Sequence, residues 1–303
     1  MKAAIFPGQG SQSVGMGLKL SQQSNIANEI FDRADRALGF ALSKLCFEGP
    51  IEELTKTQIA QPALLTSSYA CYCEFIAQGG KVQAAAGHSL GEYTALVAAG
   101  TLRFEDAVVL VNKRGKYMQE AVPQGQGGML AVMGPSEEDL RKIIVQVSSG
   151  VAEIANLNCP GQTVIAGDKA GLAYFQDLAA SSGAKIIPLN VSAPFHCSLM
   201  KPAADMLAKD LDATEFKDPI FPVVANVTAK KTSSGAEARE LLKRQVCESV
   251  RWTDSINSLA SDLGVTEVIE FGPGGVLVKL CKRINAGIGR LQVEDIESAG
   301  KAV

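Results

Sequence analysis

The chain has 303 residues, of which 47% are hydrophobic, and it carries a formal net charge of −3 at pH 7. That size suits one large or two unequal domains, and the small charge argues against nucleic acid or an anionic membrane as a partner. No apolar run approaches the roughly 20 residues of a membrane-spanning helix, and Pro7-Gly8 interrupts the first apolar segment before a signal-peptide core could form. We therefore expect a cytoplasmic globular protein.

The seven cysteines are scattered along the chain and odd in number. Cys71 and Cys73 are separated by one residue, which is too tight for the C-x-x-C spacing of redox and zinc sites. We expect reduced cysteines, no metal and no cofactor. A nucleophilic or metal-binding cysteine is the alternative.

The first part of the chain predicts a strand, a glycine-rich loop and several helices. The strand covers residues 2–6, and the loop Phe6-Pro7-Gly8-Gln9-Gly10-Ser11-Gln12 follows it. The loop lacks the G-K-[ST] of a phosphate loop, but its backbone N–H groups can still face an anion. Apolar spacing predicts helices over 24–38, over 51–55, and from Pro62, a favoured first-turn residue, to about Gly79.

The stretch Gly87-His88-Ser89-Leu90-Gly91 matches G-x-S-x-G, the pattern of a nucleophile elbow. The apolar residues 82–86 predict a strand before it, and residues 92–99 predict a helix after it, which Gly100 ends. Two glycines allow a tight turn that exposes the serine at a helix N-terminus, where free N–H groups stabilise negative charge. A chance match to so short a pattern is the alternative.

A helix over residues 105–121 carries an arginine within its apolar stripe. Arg114 shares one helical face with residues such as Leu110, Val111 and Met118. A buried guanidinium needs an anion, because an unpaired buried charge is costly. The sequence leaves open an internal salt bridge or an edge position with the charged group in water.

Residues 123–128, rich in glycine, predict a hinge to a unit with its own pattern. That unit reads strand, helix, strand, strand, helix, strand, over 129–133, 136–147, 151–156, 162–166, 169–182 and 185–191. This βαββαβ order is the ferredoxin-like arrangement. We interpret residues 126–192 as a small domain inserted into a larger one made of 1–125 and 193–303.

Strands and helices alternate again after the insertion. We expect strands over 220–225 and 265–271 and helices over 198–211, 236–247, 253–263 and 276–284. Alternation of this kind predicts an α/β fold with a parallel sheet covered on both faces. Residues 285–303 have weak periodicity, and we expect them to fray.

A serine nucleophile needs a base, and the chain has only two histidines, His88 and His196. Side chains of neighbouring residues in an extended or turning backbone point apart, so His88 is interpreted as orienting the elbow beside Ser89. That leaves His196, on a proline-containing loop, as the base. We find no acidic residue in a persuasive context, which favours a dyad whose imidazole is held by a backbone carbonyl. An ordinary loop histidine is the alternative.

From Ile5 to about Ile284 the chain resembles the malonyl-CoA:acyl carrier protein transacylase family of bacterial fatty acid synthesis. The motifs that carry the resemblance are Phe6–Gln12, Gln61–Leu64, Gly87–Tyr93, Arg114–Glu120, Asn158–Gln162, Pro194–His196 and Phe271–Gly274. The resemblance implies a hydrolase-like large domain with a mostly parallel sheet and an inserted ferredoxin-like small domain.

The resemblance also implies the catalytic roles. Ser89 would be the acylated nucleophile, and His196 its general base and then acid. The N–H groups of Gln9 and Leu90 would form the oxyanion hole. The main-chain carbonyl of Gln245 would orient His196.

For the substrate, the resemblance implies that Arg114 pairs with the free malonyl carboxylate and that His88 contacts the malonyl group. Phe195 is placed where family members carry either phenylalanine or serine. Bulk at that position leaves less room for an α-methyl group, which is worth about 1–3 kcal/mol in selectivity.

The implied reaction is ping-pong transfer of malonyl from malonyl-CoA to the phosphopantetheine thiol of acyl carrier protein, by a monomer without a cofactor. Because acyl carrier proteins are acidic, we expect a basic patch near the cleft. Its candidates, each with a solvated surface role as the alternative, are Lys113, Lys116, Lys201, Lys282 and Arg283. A serine hydrolase and a non-catalytic carrier-binding module are the rival functions.

Overall fold

The structure of the protein is a computed structural model that describes residues 1–123, 125–191 and 193–303. Gln124, in the predicted hinge, and Ser192, at the predicted domain boundary, lie outside the described residues. The strands are β1 (Lys2–Phe6), β2 (Ala84–Gly87), β3 (Gly127–Met133), β4 (Ala152–Cys159), β5 (Gln162–Asp168), β6 (Lys185–Pro188), β7 (Val223–Val224), β8 (Lys231–Thr232), β9 (Glu267–Phe271) and β10 (Gly289–Val293).

The helices of the same residues complete the order. They are α1 (Leu18–Gln23), α2 (Asn25–Leu38), α3 (Leu42–Glu48), α4 (Ile51–Leu54), α5 (Thr57–Ala77), α6 (Leu90–Ala98), α7 (Phe104–Glu120), α8 (Glu137–Ile144), α9 (Lys169–Ala179), α10 (Lys201–Asp212), α11 (Gly235–Gln245), α12 (Trp252–Ser261), α13 (Val276–Ile284) and α14 (Ile296–Ala302). Among these described helices, none is long and apolar enough to cross a membrane.

The larger sheet has six strands in the order β10-β9-β1-β2-β7-β8. Every neighbouring pair is parallel except β7 with β8. The central strands β1 and β2 are short, apolar and almost entirely buried, as expected when helices cover both faces of a parallel sheet. The predicted α/β class with a mostly parallel sheet is confirmed.

The smaller sheet has four strands in the order β4-β5-β3-β6, with every neighbouring pair antiparallel. Helices α8 and α9 pack on it, and together they enclose a separate apolar core that includes Leu130, Ile165 and Phe175. The order of elements from β3 to β6 is the predicted βαββαβ order.

Backbone hydrogen bonds join the segment before α12 to the outer edge of β4. Leu157 N donates to Val250 O at 2.9 Å, and Val250 N donates to Ala155 O at 2.9 Å. The Thr253 hydroxyl also donates to Leu157 O at 3.1 Å. The segment that leads into α12 therefore continues the smaller sheet.

The predicted start of α5 is wrong. The helix begins at Thr57, so Pro62 lies inside it. A proline there has no N–H to donate to the carbonyl four residues earlier, which is that of Gln58. The side-chain amide of Asn112 donates to Gln58 O at 2.7 Å instead, so this tertiary contact satisfies the carbonyl that the proline leaves open.

The prediction that residues 285–303 fray is also wrong. Strand β10 pairs in parallel with β9 over five residues, and α14 begins with a capping box between Asp295 and Ser298. Ala299 and Ala302 are buried. The strand is short and mixed in polarity, so its periodicity is weak, and pairing with β9 supplies what the local pattern lacks.

Candidate active site

Ser89 lies in a sharp turn between β2 and α6, as the elbow pattern predicts. Its backbone has φ 52° and ψ −108°, a strained conformation for a residue with a side chain. Both glycines of the pattern are required by close packing. A Cβ on Gly87 would lie 1.9 Å from Gly91 C, and one on Gly91 would lie 2.0 Å from Phe6 O.

His196 lies next to Ser89 and is oriented by a backbone carbonyl. Ser89 Oγ and His196 Nε2 are 2.7 Å apart, and His196 Nδ1 lies 2.8 Å from Gln245 O. Because a carbonyl only accepts, Nδ1 carries the proton and Nε2 is left to accept from the serine. Burial, and then the charge of Arg114, lower the pKa of His196 to about 3. The imidazole is therefore neutral and able to act as a base near neutral pH.

Arg114 extends from α7 into the same site and is 1% exposed. Its Nη1 donates to Gln61 Oε1 at 2.7 Å. Its Nη2 donates to Gln245 Oε1 at 3.0 Å and to Ser89 Oγ at 3.2 Å. The guanidinium also lies 5.5 Å from the ring centroid of Tyr93.

The interpretation of Arg114 as an edge residue with its charged group in water is wrong, because the side chain is buried. Its three hydrogen-bond partners, Gln61, Ser89 and Gln245, are neutral. Glu92 contributes a favourable charge nearby, but its own hydrogen bonds go to Asn226 and Gln245. A buried cation with neutral partners beside the nucleophile suits a bound anion.

Sequence reasoning missed Asn226, which holds the backbone of the elbow. Its Oδ1 accepts from Ser89 N at 2.7 Å, and its Nδ2 donates to Gly87 O at 2.7 Å. The signal was its place directly after a predicted strand, because the carboxyl ends of parallel strands meet at one edge of the sheet.

Glu92, in the first turn of α6, was also missed. Its Oε2 accepts from Asn226 N at 3.0 Å and from Gln245 Nε2 at 2.7 Å, and Gln245 Nε2 also donates to Ser89 O at 3.0 Å. The carboxylate is 2% exposed, and burial raises its pKa to about 7. The signal was an acidic residue inside the otherwise apolar Leu90–Ala98 helix.

The loop after β1 lies against the elbow. His88 N donates to Phe6 O at 3.0 Å, and a Cβ on Gly8 would lie 2.6 Å from His88 O. This brings the loop that contains Gln9 close to Leu90, the first residue of α6. The oxyanion role of these two N–H groups stays a prediction.

His88 and Phe195 take different places. His88 Nε2 lies 2.9 Å from Asn158 Oδ1, and its ring centroid lies 5.6 Å from that of Trp252. Phe195 is 7% exposed and packs in the main hydrophobic core, which includes residues of both sheets. Contact between either residue and a substrate stays a prediction.

A cavity of about 530 Å³ opens beside His196, between the smaller sheet and the segment from α11 to α12. Glu153 and Leu157 line one side, and Cys247 and Arg251 line the other. Three predicted basic-patch residues have internal partners. Lys113 pairs with Asp210, Lys201 pairs with Asp205, and Arg283 donates to Gln162 Oε1. The patch stays a prediction.

All seven cysteines are free, and five of them are buried. Burial raises the pKa of Cys197 and Cys247, the two nearest His196 in sequence and in the cavity wall, to about 12 and about 11. Within the described residues, no group of three or more His, Cys, Asp or Glu side chains could hold a metal ion.

The family of acyl transferase domains matches residues 4–301. The malonyl CoA-acyl carrier protein transacylase of Bacillus subtilis strain 168 is 48% identical over 99% of this chain and 96% of that protein. The transacylase of the same name from Escherichia coli K12 is 48% identical over 93% of this chain and 92% of its own length.

Solved structures give the same picture. The malonyl CoA-acyl carrier protein transacylase of Coxiella burnetii superposes with a TM-score of 0.97 at 42% identity, over 100% of this chain and 96% of that one. A malonyl-transacylase solved in complex with its type II polyketide acyl carrier protein superposes at 0.96 and 43% identity, over 99% and 98% of the two chains.

Proposed function

The chain belongs to the acyl transferase family, and on that basis we propose that it transfers malonyl from malonyl-CoA to the phosphopantetheine thiol of an acyl carrier protein. The reaction would supply extender units for fatty acid synthesis. The names of the relatives and the carrier complex of one structural neighbour support this substrate and this partner.

One observation carries the proposal. The buried guanidinium of Arg114 donates to the same Ser89 Oγ that contacts His196 Nε2. A cation beside the nucleophile suits an acyl group that ends in a free carboxylate, and guanidinium binds carboxylate through two parallel hydrogen bonds. A serine hydrolase for uncharged esters would have no use for this cation.

In the first half-reaction, malonyl-CoA binds with its carboxylate on Arg114. Ser89 Oγ attacks the thioester carbonyl while its proton passes to His196 Nε2. The N–H groups of Gln9 and Leu90 hold the oxyanion. Ser89 N is unavailable for that task, because it already donates to Asn226 Oδ1. The C–S bond then breaks, and CoA leaves as a thiol with the proton from His196.

In the second half-reaction, the phosphopantetheine thiol of the carrier takes the place of CoA. Neutral His196 accepts the thiol proton, and the sulfur attacks the malonyl–Ser89 ester carbonyl. The C–O bond breaks, His196 returns the proton to Ser89 Oγ, and malonyl leaves on the carrier. Malonyl-CoA is a substrate throughout, and the proposed chemistry uses no cofactor.

Two further side chains are proposed to shape the acyl pocket. His88 contacts the malonyl group, with its ring held by Asn158. Phe195, next to the base, limits room for an α-methyl branch and disfavours methylmalonyl by about 1–3 kcal/mol.

We also propose the finer architecture. Residues 126–192 form a ferredoxin-like domain inserted into a hydrolase-like domain of residues 1–125 and 193–303. The order β4-β5-β3-β6, with all pairs antiparallel, supports the first assignment. The elbow between β2 and α6 supports the second. The enzyme would act as a cytoplasmic monomer.

Intact-mass spectrometry after brief incubation with malonyl-CoA tests the function. We expect a malonyl adduct on the wild type and on Ser261→Ala, an exposed-serine control, but not on Ser89→Ala. Added acyl carrier protein should discharge the adduct. Clearance by water at the same rate would favour a hydrolase, and no adduct on a folded wild type would favour a carrier-binding module.

A further inference from the structure

A single buried carboxylate oxygen connects the parts of the active site. Glu92 Oε2 accepts two hydrogen bonds, one from Asn226 N and one from Gln245 Nε2. Removing a carboxylate from water is costly, and hydrogen bonds to the charged form offset that cost. The catalytic steps proposed above make no use of this carboxylate.

Glu92 is one of three groups that fix which way the Gln245 side-chain amide faces. In the observed orientation, Nε2 donates to Glu92 Oε2 and Ser89 O, while Oε1 accepts from Arg114 Nη2. With the amide turned over, its NH₂ would face the guanidinium, and its oxygen would face a carboxylate and a carbonyl. Donors would then meet donors and acceptors would meet acceptors, so the carboxylate, the Ser89 carbonyl and the guanidinium together disfavour that orientation.

The second bond of Glu92 reaches the elbow. Asn226, whose backbone N–H donates to Glu92, uses its side chain to hold Ser89 N and Gly87 O. Ser89 keeps a strained φ of 52°, which persists only when the surroundings fix it. The carboxylate thus supports the nucleophile through Asn226 and the guanidinium through Gln245.

We propose that Glu92 is a positioning residue, whose carboxylate fixes Gln245 and Asn226 and thereby places the Arg114 guanidinium and the Ser89 hydroxyl for acylation. This inference rests on the proposed malonyl transfer, because the placement of Arg114 matters only for an acyl group with a carboxylate. Glu92 itself touches no substrate.

Two rates on each variant test the proposal. The first is acylation of Ser89 by malonyl-CoA, and the second is labelling of Ser89 by a fluorophosphonate, which has no carboxylate. We expect Glu92→Ala to slow malonyl acylation by about 10- to 100-fold, the effect of losing hydrogen bonds to a charged group, and to slow fluorophosphonate labelling less.

Glu92→Gln provides the conservative rescue. Both observed bonds go to one oxygen, and a glutamine oxygen can accept both, so this variant should stay within about 3-fold of the wild type. A Glu92→Gln variant that is folded and as slow as Glu92→Ala would overturn the proposal. Glu74→Ala is the matched control, because Glu74 is also buried but bonds to Ser24 and Gln78. It should keep both rates.

A double-mutant cycle separates positioning from general stability. Gln245→Ala removes the side-chain amide but keeps the carbonyl that holds His196. In that background, adding Glu92→Ala should slow malonyl acylation much less than it does in the wild type. Equal effects in both backgrounds would mean that Glu92 does not act through Gln245, and the proposal would fail.

The fluorophosphonate rate distinguishes this failure from failure of the proposed function. If the wild type is labelled but takes no malonyl, malonyl transfer is wrong, and Glu92 is judged on labelling alone. It then keeps its positioning role if Glu92→Ala is slow and Glu92→Gln is not. If the wild type reacts with neither reagent, both proposals fail.

Discussion

Ser89 and His196 share an uncommon backbone conformation. Their φ values are 52° and 59°, and among the described non-glycine residues only Ala229 is also positive. Residues with side chains avoid this region unless the surrounding structure holds them there. At Ser89 the hold comes from Asn226 and Gln245, which bond to the N–H and the C=O of the same residue. The strain therefore coincides with the contact between hydroxyl and imidazole.

Replacing Arg114 should separate malonyl recognition from serine reactivity. Arg114→Ala removes a buried, paired charge from the bound state, a loss of about 3–5 kcal/mol, so malonyl acylation should slow by about 150- to 4,000-fold. Fluorophosphonate labelling of Ser89 should change much less. Arg114→Lys should recover part of the malonyl rate, because an ammonium cannot make the two parallel bonds.

The control for Arg114 is Lys116→Ala, an exposed cation on the same helix, assayed with malonyl-CoA and no carrier. It should keep the wild-type rate. Equal malonyl acylation by the wild type and Arg114→Ala would contradict the assigned role and favour a hydrolase.

The pH–rate profile of acylation should lack the fall near pH 6.5 that protonation of a catalytic histidine usually causes. Because the pKa of His196 is lowered from 6.5 to about 3, kcat/KM for malonyl-CoA should show no loss from His196 protonation between pH 7 and 5. Arg114→Ala removes one cause of the lowered pKa, so protonation of His196 should slow acylation at a higher pH than in the wild type. If the wild-type rate falls near pH 6.5, and the rate of Arg114→Ala falls at the same pH, the lowered pKa of His196 would be contradicted.

The same shift links His196 to stability. The imidazole binds a proton more readily in the unfolded chain than in the fold, so its contribution is complete above pH 6.5 and is lost as pH falls towards 3. Urea titrations of the wild type and His196→Ala at pH 7.5 and 5 compare this loss directly. The wild type should lose more stability between the two values than the variant.

At the scale of elements, the elbow depends on how closely α6 approaches β1. In Gly91→Ala the new Cβ would lie 2.0 Å from Phe6 O, so the helix must move away from the strand. We expect a loss of about 3 kcal/mol in stability and slower fluorophosphonate labelling, because Ser89 moves with the helix. Gly128→Ala, whose Cβ would meet Leu172 Cδ1 at 3.6 Å, is the control and should match the wild type.

The sequence predicted secondary-structure elements correctly where the burial of residues follows their periodicity. Residues 84–87 and 90–98 are nearly all buried around the elbow, and the glycines and apolar spacing predicted both elements. The pattern predicted the wrong helix start at Pro62. The proline leaves Gln58 O without its helical donor, and Asn112, 50 positions after the proline, satisfies that carbonyl. The pattern also could not join Asn226 to Ser89, since that bond spans 137 positions and depends on strand order.

At the scale of the molecule, the last residues complete the larger sheet. Truncation after Ala286 removes β10 and α14, whose buried residues include Val293, Ala299 and Ala302, and exposes the edge of β9. We expect a loss of about 3 kcal/mol or more, or roughly 2 °C in Tm for each kcal/mol in a chain of this size. Lys301→Glu, an exposed change in α14, is the control. An unchanged Tm after truncation would mean that the segment frays.

The bonds between β4 and Val250 have a consequence for how substrates enter the cleft. These bonds run along one side of the opening beside His196. The two walls of the opening are therefore joined there by main chain, which restrains them from moving apart on that side. CoA and the carrier protein both deliver their sulfur on the same slender pantetheine arm. A cleft whose walls are joined in this way would admit that arm from either donor and leave the bulky remainder outside, so one entrance would serve both half-reactions in turn.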